Sequence, residues 1–193
     1  MRTVDGLRGT ALVTRSGSVV ADLAGGLADI EAGAACTRQT RFQLCSVSKQ
    51  FTAAAAARGY RDGQPVTPFA LDTMPGTGDI WSTVGDLTRF TAALHGGELV
   101  TAGSLDAMRT AHAAIHDEDD GEPRMTTTGY GYGMYTGAFA GRTAYYHTGD
   151  NPGYLSLACW IPDRAASIVI LLNDEAADRT RLLRQLLAVA LDG

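Results

Sequence analysis

The sequence predicts an α+β layered domain, one antiparallel sheet covered by helices, and three observations predict it. Apolar runs paired across turn signals stand at both ends of the chain. Helix-forming segments with capping signals lie between them. A terminal stretch carries an apolar stripe of helical period. At 193 residues the whole chain, 1–193, reads as a single domain, long enough to bury roughly 70% of the surface its unfolded form exposes.

The first element is a hairpin: GTALVTR (9–15) and VVADLAG (19–25) flank Ser16-Gly17-Ser18, a turn signal between two apolar runs. A polar, Gly- and Ala-rich stretch runs to about Thr40. Ser46 to Ala57 is expected to be a helix, carried by five consecutive alanines of high intrinsic propensity. Gly and Pro punctuate the chain from Asp62 to Asp79, which reads as an extended loop. Thr83 with Asp86 three residues on resembles a capping box and starts a helix that ends at Gly96-Gly97. Ser104 is expected to cap a shorter helix reaching about Ala113. The last third returns to strands. Segments 131–137 and 142–149 form one expected hairpin, and 154–161 and 166–172, joined by Pro162-Asp163-Arg164, form a second. Asn173 or Asp174 is expected to cap a terminal helix with Leu182, Leu183, Leu186, Leu187 and Val189 on one face.

Composition removes several function classes. A net charge of −5 with scattered arginines argues against a nucleic-acid binder. No window approaches the ~18 apolar residues of a membrane span. The N-terminus lacks the apolar core of a signal peptide, so the chain as written is expected in the cytoplasm unless a leader has been trimmed. Cys36, Cys45 and Cys159 have no CxxC spacing and read as free, mostly buried thiols. Cys45, four residues before Lys49, is a weaker candidate nucleophile. The acidic run HDEDDGEPR (116–124) lacks the register of an EF-hand loop and reads as a solvated surface loop. His112 and His116 stand at helical spacing without an HExxH frame, so no metal and no cofactor is expected.

The chemistry concentrates at Ser46 and Lys49. Lys49 is the only lysine among sixteen basic residues, and lysine can lose its proton where arginine stays charged. With Ser46 in the first helical turn, Lys49 lies one turn on, over the same face. Backbone N–H groups of that turn lack intrahelical partners, and the positive helix end disfavours a protonated amine. A neutral Lys49 could then take the Ser46 proton and make the hydroxyl a nucleophile.

The stretch FQLCSVSKQFTA (42–53) resembles the active-site helix of the serine β-lactamase and penicillin-binding-protein superfamily, in its class C β-lactamase, esterase and D-aminopeptidase branch. GDIWSTVGDLTRF (78–90), YGYGMY (130–135) and HTGDNPGY (147–154) are similar to the same branch, and the order of parts agrees. The resemblance implies an α/β/α sandwich and a serine hydrolase acting on small esters, amides or β-lactam-like molecules. Ser46 would form an acyl-enzyme with Lys49 as general base. His147, Thr148 and Gly149 would form the third motif, His147 assisting catalysis while Thr148 and Gly149 bind substrate. The backbone N–H groups of Ser46 and Asp150 would make the oxyanion hole.

The family's second motif, Tyr-x-Asn, and the Leu-Leu-x-His-x-Ser-Gly signature of its helical lobe are absent from the sequence. The lobe is expected to be deleted near residues 57–60, which would expose a face suited to a homodimer. The missing tyrosine normally shares proton transfer, so activity is expected to be weak and to favour activated esters. Tyr60, near the splice, is a remote substitute. Two rival readings follow: a catalytically impaired fragment or engineered scaffold that binds without turnover, and an acyltransferase passing the acyl group to an acceptor other than water.

Overall fold

The computed structural model describes residues 7–50, 59–66, 78, 80–115 and 125–191, the backbone alone at 48–50 and 125. The N-terminal hairpin pairs β1 (Gly9–Arg15) with β2 (Ser18–Gly25) across Ser16 and Gly17, both at positive φ, the two-residue turn whose twist matches the strands. The Gly/Ala-rich stretch folds into β3 (Leu27–Asp29), β4 (Ala34–Ala35) and β5 (Arg41–Gln43), and a 3-10 helix spans Cys45–Gln50. A small hairpin of β6 (Tyr60–Arg61) and β7 (Gln64–Pro65) follows, then β8 (Trp81–Thr83), α1 (Val84–His95), α2 (Ala102–Arg109) and β9 (Ala113–Ala114). The C-terminal part holds β10 (Met125–Tyr130), β11 (Tyr135–Phe139), β12 (Arg142–Asn151), β13 (Tyr154–Ile161), β14 (Ala166–Leu172) and α3 (Arg179–Leu191).

The main sheet has eight strands in the order β2-β1-β14-β13-β12-β11-β10-β9, and all its pairings are antiparallel. Every residue of β14 is buried, because this strand lies centrally and is covered on both faces. Ile168, Ile170 and Leu172 pack toward Leu182, Leu183, Leu186 and Leu187 of α3. Val169 and Leu171 point the other way, toward Val84 and Leu87 of α1, Leu44 just before the 3-10 helix and Val47 within it. Period-two alternation therefore builds one core on each side of the sheet, and the arrangement is the expected α+β sandwich. Among the described residues no helix is long and apolar enough to cross a membrane.

Several boundaries differ from expectation for identifiable reasons. Thr83 caps α1 as the sequence indicated, accepting from the Asp86 N–H. The cap of α2 is Thr101, not Ser104; Ser104 sits at the third helical position and donates its N–H to the Thr101 hydroxyl. The cap of α3 is Asp178, whose carboxylate accepts the Arg181 N–H at 2.7 Å. Asn173 is instead drawn into a long-range contact with the Leu27 carbonyl, and Asp174 pairs with Arg8. Fully buried Ala190 joins the α3 stripe, while Val189 is only half-buried. The expected loop from Asp62 begins with the β6–β7 hairpin, turned at Asp62 and Gly63, both at positive φ. Residues 131–134 form a turn, so the expected strand 131–137 starts only at Tyr135, and β10 precedes it. The expected helical course after Gln50, from 51 to 57, and the acidic run 116–124 lie outside the described residues.

Candidate active site

Ser46 enters the site from a constrained approach. β5 is held by β8, and the Leu44 N–H donates to the Ile80 carbonyl at 2.7 Å. Cys45 then takes φ 51°, a left-handed conformation costly for a side chain bearing Cβ. That turn buries the Cys45 thiol completely and leaves Ser46 half-buried. The backbone runs on as a 3-10 helix, whose three-residue period sets position 49 over position 46. The Lys49 side chain itself lies outside the described residues.

The HTG strand meets this approach at Gly149. A Cβ placed on Gly149 would come within 2.4 Å of the Ser156 Oγ and 2.7 Å of both the Cys45 Cβ and the Leu44 carbonyl oxygen. Only a residue without a side chain allows β12 to lie this close to the chain leading into Ser46. Ser156 closes the seam, donating to the Leu44 carbonyl at 2.7 Å. Farther along, the Asn151 amide donates to the Gln43 side chain at 2.8 Å. The two segments are thus joined beside Gly149 and again two residues beyond it.

Strand alternation sorts the motif. His147 pairs with Ala158 and Gly149 with Ser156, partners that face the Ser46 side. Thr148 pairs with Leu157 and Asp150 with Leu155, partners of the α3-side core. The Thr148 side chain therefore faces away from Ser46, which leaves its backbone, not its hydroxyl, on the site's edge. Asp150 follows suit, and its carboxylate meets Arg179 at 3.1 Å. The same guanidinium group donates to the carbonyls of Gly149 and Ser156 at 3.0 and 3.2 Å, tying the start of α3 to the motif.

His147 is buried. Its Nε2 lies 2.9 Å from the Tyr130 hydroxyl, and its Nδ1 contacts the Thr148 carbonyl oxygen. Tyr135 packs at 4.9 Å between ring centroids. Burial, and secondarily Tyr135, push the Tyr130 phenol pKa up. Tyr130, Arg179, Asn151 and Gln43 carried no isolated sequence signal. Their partners are distant in the chain, although Tyr130 does open the YGYG stretch.

Two alternatives from the sequence are corrected. Cys45 is fully buried, and burial with the nearby Asp150 charge pushes its thiol up to about 12, so it is no thiolate nucleophile at neutral pH. Tyr60 is buried on β6, donating to Glu31 and accepting from the Ile30 N–H, so its hydroxyl is engaged away from Ser46. Cys36 and Cys159 are free and buried, as their spacing suggested. His112 stacks on Tyr132 at 4.3 Å and contacts the Ala107 carbonyl. Among the described residues no group of three or more His, Cys, Asp or Glu could hold a metal ion.

Comparison with known proteins gives a consistent result. The family model described as "Beta-lactamase" matches residues 2–67 and 56–191. D-aminopeptidases of Brucella canis and Brucella suis are 33% identical over 91 residues, covering 38% of this chain but only 18% of theirs. The chain thus matches about a fifth of those relatives' length. Among solved structures, a penicillin-binding protein from Bacillus halodurans superposes with a TM-score of 0.74 at 15% identity, covering 93% of this chain and 96% of that one. The D-amino acid amidase from Ochrobactrum anthropi gives 0.72 at 13% identity, covering 93% of each. An octameric penicillin-binding-protein homologue from Pyrococcus abyssi gives 0.76 at 12% identity, over 94% and 73%. At these identities the superpositions establish the fold alone.

Proposed function

The chain belongs to the β-lactamase family, and from that premise we propose that it is a serine hydrolase of small esters or amides working through an acyl-Ser46 intermediate. The observation that carries the reading is the seam at Gly149, which lays the HTG strand against the backbone entering Ser46. In this reading Lys49 takes the Ser46 proton as the hydroxyl oxygen attacks the substrate carbonyl. The backbone N–H groups of Ser46 and Asp150 receive the developing oxyanion, commonly the largest single catalytic term. His147 lines the cleft, and Gly149 lets the strand pack against the backbone entering Ser46, so that its own backbone can lie beside substrate. Thr148 contributes through its backbone.

The match of one family model in two stretches, together with the missing Tyr-x-Asn motif, supports a deletion of the helical lobe near residues 57–60. Without that wall, water reaches the site and weakens its electrostatics. Activated esters, which need less proton delivery to the leaving group, are therefore the better substrates. Among amides, D-amino acid amides are the first to test, given the names of the related enzymes. A second copy of the chain is the partner we assign to the face left by the lobe, and light scattering across a concentration series checks it. The same absence favours the rival reading, a fold retained for binding without turnover.

Hydrolysis of p-nitrophenyl acetate and D-phenylalanine amide by the parent, Ser46→Ala and Lys49→Ala separates the two. The hydrolase reading expects both variants at the buffer rate. Equal rates in all three chains overturn it.

A further inference from the structure

The surroundings of His147 decide which of its ring nitrogens carries hydrogen. Nδ1 contacts the Thr148 carbonyl oxygen, and an oxygen lone pair accepts only an N–H there. A neutral imidazole has one N–H, so Nε2 must then be the acceptor. Its partner at 2.9 Å is the Tyr130 hydroxyl, which has to donate. Burial favours the protonated phenol, keeping that hydrogen in place.

The fold holds this pair rigidly. Tyr130 ends β10 and lies opposite Tyr135, the first residue of β11, which in turn lies opposite Tyr146 of β12, the neighbour of His147. The Tyr130 and Tyr135 rings meet edge-on at 4.9 Å. The turn after Tyr130 is pinned as well: a Cβ on Gly131 would strike the Met108 carbonyl oxygen at 2.0 Å. The phenol therefore reaches His147 from a fixed strand end.

Resting on the reading of Ser46 as nucleophile, we infer that Tyr130 is a positioning residue: the Thr148 carbonyl selects the neutral Nδ1–H tautomer of His147, and the Tyr130 hydroxyl occupies the Nε2 lone pair and holds the ring in place. The imidazole is then unavailable as the base. As the Ser46 oxygen bonds to the substrate carbonyl carbon, its O–H bond breaks and the proton passes to the Lys49 amine. The carbonyl π pair moves onto the oxygen. His147 and Tyr130 stay a neutral, hydrogen-bonded wall of the cleft and do not exchange protons with substrate.

The test is the tautomer itself, read by long-range proton–nitrogen correlation spectra of the four-histidine chain near neutral pH, with His147 assigned through His147→Gln. The parent should show a pyrrole-type Nδ1 and a pyridine-type Nε2. Tyr130→Phe should keep the Nδ1–H form but move the Nε2 resonance downfield as its hydrogen-bond donor is lost, and lower kcat on an activated ester about tenfold with KM held, the order expected for one lost hydrogen bond. A parent His147 in the Nε2–H form overturns the assignment, and this holds even where Tyr130→Phe fails to fold. An unchanged Nε2 resonance in a folded Tyr130→Phe also overturns it. The Nδ1–H pattern without any labelling of Ser46 supports the Tyr130–His147 assignment and overturns the hydrolase reading instead.

Discussion

Substituting Gly149 by alanine tests the seam on which the site is built. The added methyl would meet the Leu44 carbonyl oxygen and the Cys45 Cβ at 2.7 Å and the Ser156 Oγ at 2.4 Å. The first two are backbone or nearly so and cannot rotate away. Ser156 can turn aside only by giving up its 2.7 Å hydrogen bond to the Leu44 carbonyl. Overpacking of this kind costs ~1–3 kcal/mol, and a lost buried hydrogen bond adds about 0.5–1.5 kcal/mol. The sum, about 1.5–4.5 kcal/mol, is on the order of 10 °C in Tm for a domain of this size. Restoring ordinary contact requires the strand to retreat by roughly 0.7 Å, a displacement approaching the ~1 Å that costs about 100-fold in well-aligned sites. Urea denaturation gives the stability change and the labelling rate of Ser46 gives the displacement. Gly103→Ala is the control, since a Cβ there meets nothing within 4 Å in a helix; it should stabilise by about 0.4–1 kcal/mol. A Gly149→Ala chain with the parent's urea midpoint and labelling rate would refute the close-packed seam.

Three further outcomes follow from the same structure. Arg179→Met removes the donor shared by Gly149, Ser156 and Asp150 and should cost about 1.5–3 kcal/mol, the range for charged hydrogen bonds; a midpoint shift under a third of that would contradict the bridge. Burial, with the Arg109 charge second, lowers His95 from 6.5 to about 3, so between those pH values the unfolded chain binds the extra proton. Its contribution is therefore full above pH 6.5 and lost as pH falls toward 3, and His95→Gln should flatten that part of the stability–pH curve. The native thiols, with Cys36 and Cys45 raised to about 11 and 12 chiefly by burial, should resist a disulfide reagent at neutral pH and react only on unfolding; rapid native reaction at Cys45 would contradict its burial.

What the sequence disclosed depended on whether a residue's role was local. The run ASIVILL reads as a buried strand because all its positions but Ser167 are apolar, and β14 is indeed buried throughout, Ser167 meeting the Thr14 hydroxyl. Thr83 and Asp86 cap within three residues, so their signal survives. Thr101 and Ser104 carry equivalent hydroxyls three positions apart, and composition alone does not rank them. Asn173 looks like a cap but is claimed by Leu27, 146 residues away in sequence. β10 was missed because MTTTGY has no apolar alternation, as befits a strand near the sheet edge. The same blindness hid Tyr130, whose importance lies in its contact with His147 seventeen residues on. Gly149 was legible as part of a motif, while the reason for glycine, the approach of Cys45 and Leu44, belongs to tertiary structure.

The most direct test of the central claim is covalent labelling with a fluorophosphonate, mapped by peptide mass spectrometry on the parent, Ser46→Ala and Lys49→Ala. The account predicts label on Ser46 alone, lost in the first variant and slowed at least tenfold in the second, as removal of a general base requires. No label, or label spread over several residues at equal rates in all three chains, would contradict an activated Ser46.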